Sequence, residues 1–124
     1  MFEDWVDQLP DELRALGVPV DSPGPFETAW PISCAEQLCD WFSDHGYSIA
    51  GGDLYLKNDR AFAPAYEDWA CDIEQGERWE AYCQRSIQEA HSYLSGRSGR
   101  PEVWFIIIAT HRPDARQLAR SYAR

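Results

Sequence analysis

Apolar residues recur every three or four positions in several stretches of the chain, which predicts amphipathic helices there. The first stretch covers residues 2–16, and Pro10 divides it into two short predicted helices. The second follows Ser33-Cys34-Ala35-Glu36, a capping-box pattern, and Gly46 is placed to end it. The longest stretch runs over residues 77–94. A last helix is predicted from about Pro113, with Ala115, Leu118, Ala119 and Tyr122 on its inner face.

Other apolar patterns predict strands. Residues 47–57 alternate in polarity around Gly51-Gly52, which predicts either a hairpin turn or a bulge within one strand. Residues 62–71 are predicted to be extended, and Pro64 favours an edge or irregular strand. Residues 103–109 are apolar at every position, which is typical of a central strand buried on both faces.

The order of these elements predicts an α+β fold, in which a small, mostly antiparallel sheet is packed by about four helices. Residues 18–31 contain four prolines and predict an irregular connection with a short extended stretch near 26–30. The segment before it is too small to fold alone, so we expect one domain over residues 1–124. If the strand at 103–109 is central, helices or loops must cover both of its faces.

Charge narrows the classes of partner. The chain has 21 acidic and 11 basic side chains and a formal net charge of −10. Residues 1–84 hold 18 of the acids and four of the bases, whereas residues 85–124 hold three acids and seven arginines. Binding to nucleic acid or to an anionic membrane surface needs a basic face, so we expect neither of these partners. A basic protein is the partner that this composition favours.

The sequence contains no recognisable cofactor, metal or catalytic motif. Its four cysteines form no Cys-x-x-Cys pair, which favours reduced, packed thiols, although a disulfide stays open. Its three histidines are far apart, and its one lysine, Lys57, is not part of a phosphate-binding loop. The acidic start lacks the pattern of a signal peptide, so we expect a cytoplasmic protein with no cofactor and no bound metal.

Carboxylates are frequent between Asp53 and Glu77, and they support three interpretations. They are a solvated surface, a recognition surface, or the acid and base of a small hydrolase built on Asp53, Glu67, Asp68 and Asp72. Tyr66-Glu67-Asp68-Trp69 adds two aromatic rings to the acids, a combination that suits a protein–protein contact. The alternative for Tyr66 and Trp69 is that they cap the core from a loop. The candidate partner-binding residues are Asp53, Tyr55, Tyr66, Glu67, Asp68, Trp69, Asp72 and Glu74.

Three segments in succession resemble the bacterial immunity protein 40 family. They are Gly51-Gly52-Asp53-Leu54-Tyr55, then Pro64-Ala65-Tyr66-Glu67-Asp68-Trp69, then a helix with Arg85-Ser86 and Ala90-x-x-Tyr93. The resemblance spans residues 47–109 and implies a small intracellular, non-enzymatic protein that neutralises a cognate polymorphic toxin. The hypotheses that compete with it are the hydrolase and an adaptor module with another protein partner. The oligomeric state, the toxin and the binding face stay open.

Overall fold

A five-stranded antiparallel sheet lies at the centre of the protein, and its strand order is β1-β2-β5-β3-β4. The computed structural model describes residues 4–20 and 27–111. The strands are β1 (Val18–Val20), β2 (Glu27–Pro31), β3 (Ser48–Lys57), β4 (Phe62–Ala70) and β5 (Val103–Thr110). The predicted strand at 103–109 is therefore confirmed as central, and the strand that contains Pro64 is confirmed as an edge.

Helices lie on one side of this sheet. In the described ranges there are three α-helices, α1 (Asp11–Arg14), α2 (Ala35–Asp44) and α3 (Trp79–Ser95), and two 3₁₀ turns, Asp4–Gln8 and Ile32–Cys34. The α+β class is confirmed, but three helices are seen instead of the expected four or so. One reason is that the predicted helix from Pro113 lies outside the described residues. Helix α3 packs on β3 and α2 packs on α3.

The main core fills the space between the helices and the sheet. Its largest fully buried side chains include Trp30, Phe42, Tyr47 and Phe105. Strand β5 also contributes to a smaller core on the other face of the sheet. There Ile106 is 1% exposed and packs with Val20 and Ala29. This smaller core is bordered by half-buried Tyr55, Phe62 and Trp104. The expectation that both faces of this strand are buried holds for Ile106 but not for Ile108, which is 49% exposed.

The capping-box prediction was wrong. Ser33 lies inside the 3₁₀ turn and Cys34 occupies the N-cap of α2, without a side-chain hydrogen bond to cap the helix. A capping serine needs an extended backbone, and a residue already within a helical turn does not have one. The predicted end of the helix is confirmed, because Gly46 follows the C-cap His45 with a φ of 74°.

Gly51 and Gly52 lie within strand β3, and the register of its pairing with β5 shifts between Ile49 and Gly51. The bulge was therefore the right alternative at this position. The β3–β4 turn lies further on, where the side chain of Asn58 accepts hydrogen bonds from the backbone N–H groups of Arg60 and Ala61.

Candidate functional site

Five of the eight candidate partner-binding residues border one shallow depression of about 380 Å³. They come from the facing strands β3 and β4, and Leu54 and Pro64 complete the lining. We call these five residues the acidic–aromatic patch: Asp53, Tyr55, Tyr66, Glu67 and Asp68.

The carboxylates of the patch meet because of strand register. Asp53 and Asp68 lie directly opposite each other in the β3–β4 pair, an arrangement that is unfavourable for like charges. Burial and then the charge of Asp68 raise the pKa of Asp53. In the described part of the chain, neither carboxylate forms an ion pair with a basic side chain. The patch therefore carries negative charge that the described structure does not neutralise.

Glu27 adds a fourth carboxylate to the three of the patch, and the sequence did not single it out. Burial raises the pKa of its side chain, and the charge of Asp53 raises it further. Glu27 belongs to β2, two strands away from β3 in the sheet and 26 positions away from Asp53 in the sequence. Only the sheet order brings these two charges within reach of each other, so no local sequence signal could have shown it.

Tyr66 is the most exposed large side chain of the patch, with 93% of its surface accessible. It has a φ of 58°, and it is the one residue other than glycine with a positive φ in the described ranges. The register explains this backbone: Asp53 pairs with Asp68 and Tyr55 pairs with Pro64, so two extra residues of β4 bulge outwards around Tyr66. A bulky residue in this conformation is strained, and such strain concentrates at functional sites.

Trp69 points to the helical side of β4 instead of the patch. Its ring stacks on Tyr93 of α3 with a centroid distance of 4.9 Å, and it packs against the main core. Arg97 in turn covers Tyr93 at 3.9 Å and pairs with Glu67 at 3.3 Å between Nη2 and Oε1. These contacts connect Glu67 of the patch to the end of α3 and hold β4 against the helix.

Asp72 and Glu74 follow β4 in a loop that Arg85 holds against α3. The guanidinium donates two hydrogen bonds of 2.8 Å to the carboxylate of Glu77 and one of 2.7 Å to the backbone carbonyl of Asp72. Glu74 lies 3.7 Å from the same guanidinium. The hydrogen bonds from Arg85, and then one from the backbone N–H of Glu74, lower the pKa of Glu77 to about 2. Asp72 and Glu74 are exposed, but they do not line the depression.

The described residues show no group of three or more side chains placed to hold a metal ion. None of the helices described there is long and apolar enough to cross a membrane. All four cysteines are buried free thiols.

The family comparison covers both the patch and the helix behind it. The model of the family described as Immunity protein 40 matches residues 13–109. The chain belongs to the immunity protein 40 family. Searches of curated proteins and of solved structures gave no match. As a member of this family, the protein is an immunity protein, and the match takes in β1 to β4 and all of β5 except Thr110.

Proposed function

We propose that this immunity protein binds a cognate bacterial toxin through the acidic–aromatic patch and thereby neutralises it in the cytoplasm of the producing cell. The observation that carries the proposal is Tyr66, a 93% exposed ring that is held in a left-handed backbone and borders the same depression as the carboxylates of Asp53 and Asp68, which form no ion pair among the described residues. Protein-binding hot spots are enriched in tyrosine, since the ring supplies a large contact area at a small cost in side-chain entropy.

The chemistry of the patch fits a basic partner. Asp53 and Asp68 face each other without a counter-charge in the described structure, so a lysine or arginine from the toxin would relieve their repulsion. Asp72 extends the acidic area into the loop after β4, whereas Glu67 pairs with Arg97 and Glu74 lies 3.7 Å from Arg85. In this proposal Trp69 does not contact the toxin. It supports the patch from the helical side of β4, because its packing on Tyr93 fixes the position of that strand.

Co-expression with a candidate toxin encoded beside this gene tests the proposal. The protein should restore growth and co-purify with the toxin, whereas Tyr66→Ala combined with Asp53→Asn and Asp68→Asn should abolish both. The matched control for charge is Asp7→Asn with Glu36→Gln, which removes two exposed carboxylates outside the patch. Full protection by the folded patch variant would refute the role of the patch. Absence of protection by the unaltered chain would refute the claim that this protein neutralises that toxin.

The hydrolase hypothesis has one observation in its favour, the raised pKa of Asp53 beside Asp68. A general acid needs a raised pKa, but an unneutralised binding patch produces the same shift. Asp53→Asn separates the two functions. A hydrolase would lose nearly all turnover, whereas a binding protein would lose only part of its affinity and would retain protection at a higher expression level.

A further inference from the structure

A second surface lies on the helical side of the protein, away from the acidic–aromatic patch. Helices α1 and α2 border a groove of about 480 Å³ with an apolar floor and an acidic rim. We call it the helical groove, and the residues that line it are Pro10, Glu12, Leu13, Leu16, Gln37, Asp40, Trp41 and Asp44. It shares no residue with the patch.

The floor of the groove is apolar and partly open to solvent. Leu16, two residues beyond the end of the short helix α1, is 48% exposed, whereas Leu13 within that helix is buried. Trp41 forms the wall on the α2 side with only 8% of its surface exposed, and its ring is stacked on His45 at a centroid distance of 4.0 Å. The ring nitrogen Nδ1 of His45 also lies 2.8 Å from the carbonyl oxygen of Trp41. The wall is therefore held in place before any partner arrives, which lowers the entropy cost of binding.

Every charged side chain that lines the groove is acidic. Asp40 and Asp44 are one turn apart on α2, a spacing at which like charges repel, and Glu12 comes from α1. Arg14 of α1 does not line the groove, because its guanidinium bonds to Asp11 at 2.6 Å and to the carbonyl of Asp7 at 3.4 Å. The rim thus presents three carboxylates around an apolar slot.

We propose that the helical groove binds a basic segment of a partner protein, which inserts a leucine-sized side chain between Leu16 and Trp41. Lysine or arginine side chains on either side of that residue would pair with Glu12, Asp40 and Asp44. Charge complementarity favours a different protein over a second copy of this chain, whose net charge is −10. This surface is independent of the toxin-binding proposal, since it uses other residues.

Synthetic peptides test the groove directly with the full chain. The first peptide carries one leucine with arginines three and four positions away, so that all lie on one helical face. The second has glutamate in place of each arginine, and the third has serine in place of the leucine. Binding is followed through the NMR signals of the Trp41 indole and of the Leu13 and Leu16 amides. We expect saturable shifts at these signals with the first peptide only.

Variants of the chain complete the test. Asp40→Asn with Asp44→Asn should weaken binding of the first peptide by about fivefold, and Leu16→Ser should weaken it further. Asp53→Asn with Asp68→Asn should leave the affinity unchanged, because those residues belong to the patch. The proposal fails if shifts occur only at the patch, if the glutamate peptide binds equally well, or if no saturable shift appears. Shifts at the groove that depend on protein concentration without peptide would assign it to a second copy and overturn the proposed partner.

Discussion

At the scale of single residues, Tyr66 has a strained backbone under a large exposed side chain, whereas Gly52 lies at a buried position with no room for a side chain. Tyr66 occupies a left-handed conformation that glycine would adopt with less strain, and its ring is directed into solvent. Gly52 is buried where no side chain fits, because a Cβ there would overlap the carbonyl oxygen of Ile106 and the ring of Trp69. The backbone of Tyr66 lowers the stability of the fold but presents an exposed ring. The absence of a side chain at Gly52 allows β3 to pass beneath Trp69.

Substitutions at Tyr66 should separate strain from binding. We expect Tyr66→Gly to be more stable than Tyr66→Ala by about 1 kcal/mol, since the left-handed conformation penalises any residue with a Cβ. At Ala70, an ordinary position of the same strand, glycine should instead be less stable than alanine. Urea unfolding measures both differences. Both Tyr66 variants should bind the toxin weakly, and equal stabilities of the two would contradict the strain argument.

Gly52→Ala should lower the free energy of unfolding by about 3 kcal/mol, since the added methyl group meets a backbone oxygen that cannot move aside. Gly99→Ala is the matched control, because a Cβ at that position meets no atom within 4 Å. Thermal or urea unfolding of both variants tests the expectation. A loss of stability at Gly99 as large as that at Gly52 would refute the packing explanation.

At the scale of elements, α3 positions the strands and loops of the candidate site. Trp69 stacks on Tyr93, and Arg97 pairs with Glu67, so the middle of β4 is held from the helix. Arg85 holds the loop after β4 through Glu77 and the carbonyl of Asp72. The edge strand β4 pairs with β3 on one side only, and these side-chain contacts compensate for the missing neighbour.

The Arg85–Glu77 pair predicts a specific dependence on pH. The folded-state pKa of Glu77, about 2, lies below its ordinary value of 4.5. The pair therefore stabilises the fold fully above pH 4.5, and this contribution is lost progressively as the pH falls towards 2. The stability difference between the unaltered chain and Glu77→Gln should shrink over that interval in urea unfolding. Asp72→Asn is the control, because only the backbone of Asp72 bonds to Arg85. A difference that does not vary with pH would contradict the prediction.

Sequence patterns predicted the helices and strands well, but they predicted the contacts between these elements poorly. The apolar run at 103–109 and Pro64 were enough to place a central and an edge strand, since burial on both faces and a missing N–H donor are local properties. Glu27 beside Asp53 and the groove between α1 and α2 were not predicted, because each joins elements that are distant in sequence. The left-handed Tyr66 was also missed, since no glycine or asparagine marks that position.

At the scale of the whole molecule, the distribution of charge distinguishes internal links from recognition surfaces. Arg85 and Arg97, from the basic part of the chain, pair with Glu77 and Glu67 of the acidic part. These pairs neutralise some of the acidic charge within the fold. The carboxylates of Asp53 and Asp68 and those that line the helical groove have no such partner in the described ranges. Five carboxylates without an ion pair in the described ranges thus lie at the two surfaces proposed to bind basic partners, whereas others, such as Asp7 and Glu36, lie elsewhere on the surface.

Association kinetics with the toxin should resolve the two contributions of the patch. If its carboxylates steer a basic toxin, the association rate should fall by about tenfold or more from low to high salt. Asp53→Asn with Asp68→Asn should lower that rate at low salt and flatten its dependence on salt. Tyr66→Ala should instead raise the dissociation rate, because a central aromatic contact stabilises the formed complex and contributes little to the encounter. Stopped-flow or surface-based kinetics measures both rates, and an association rate that is independent of salt would rule out steering by the patch.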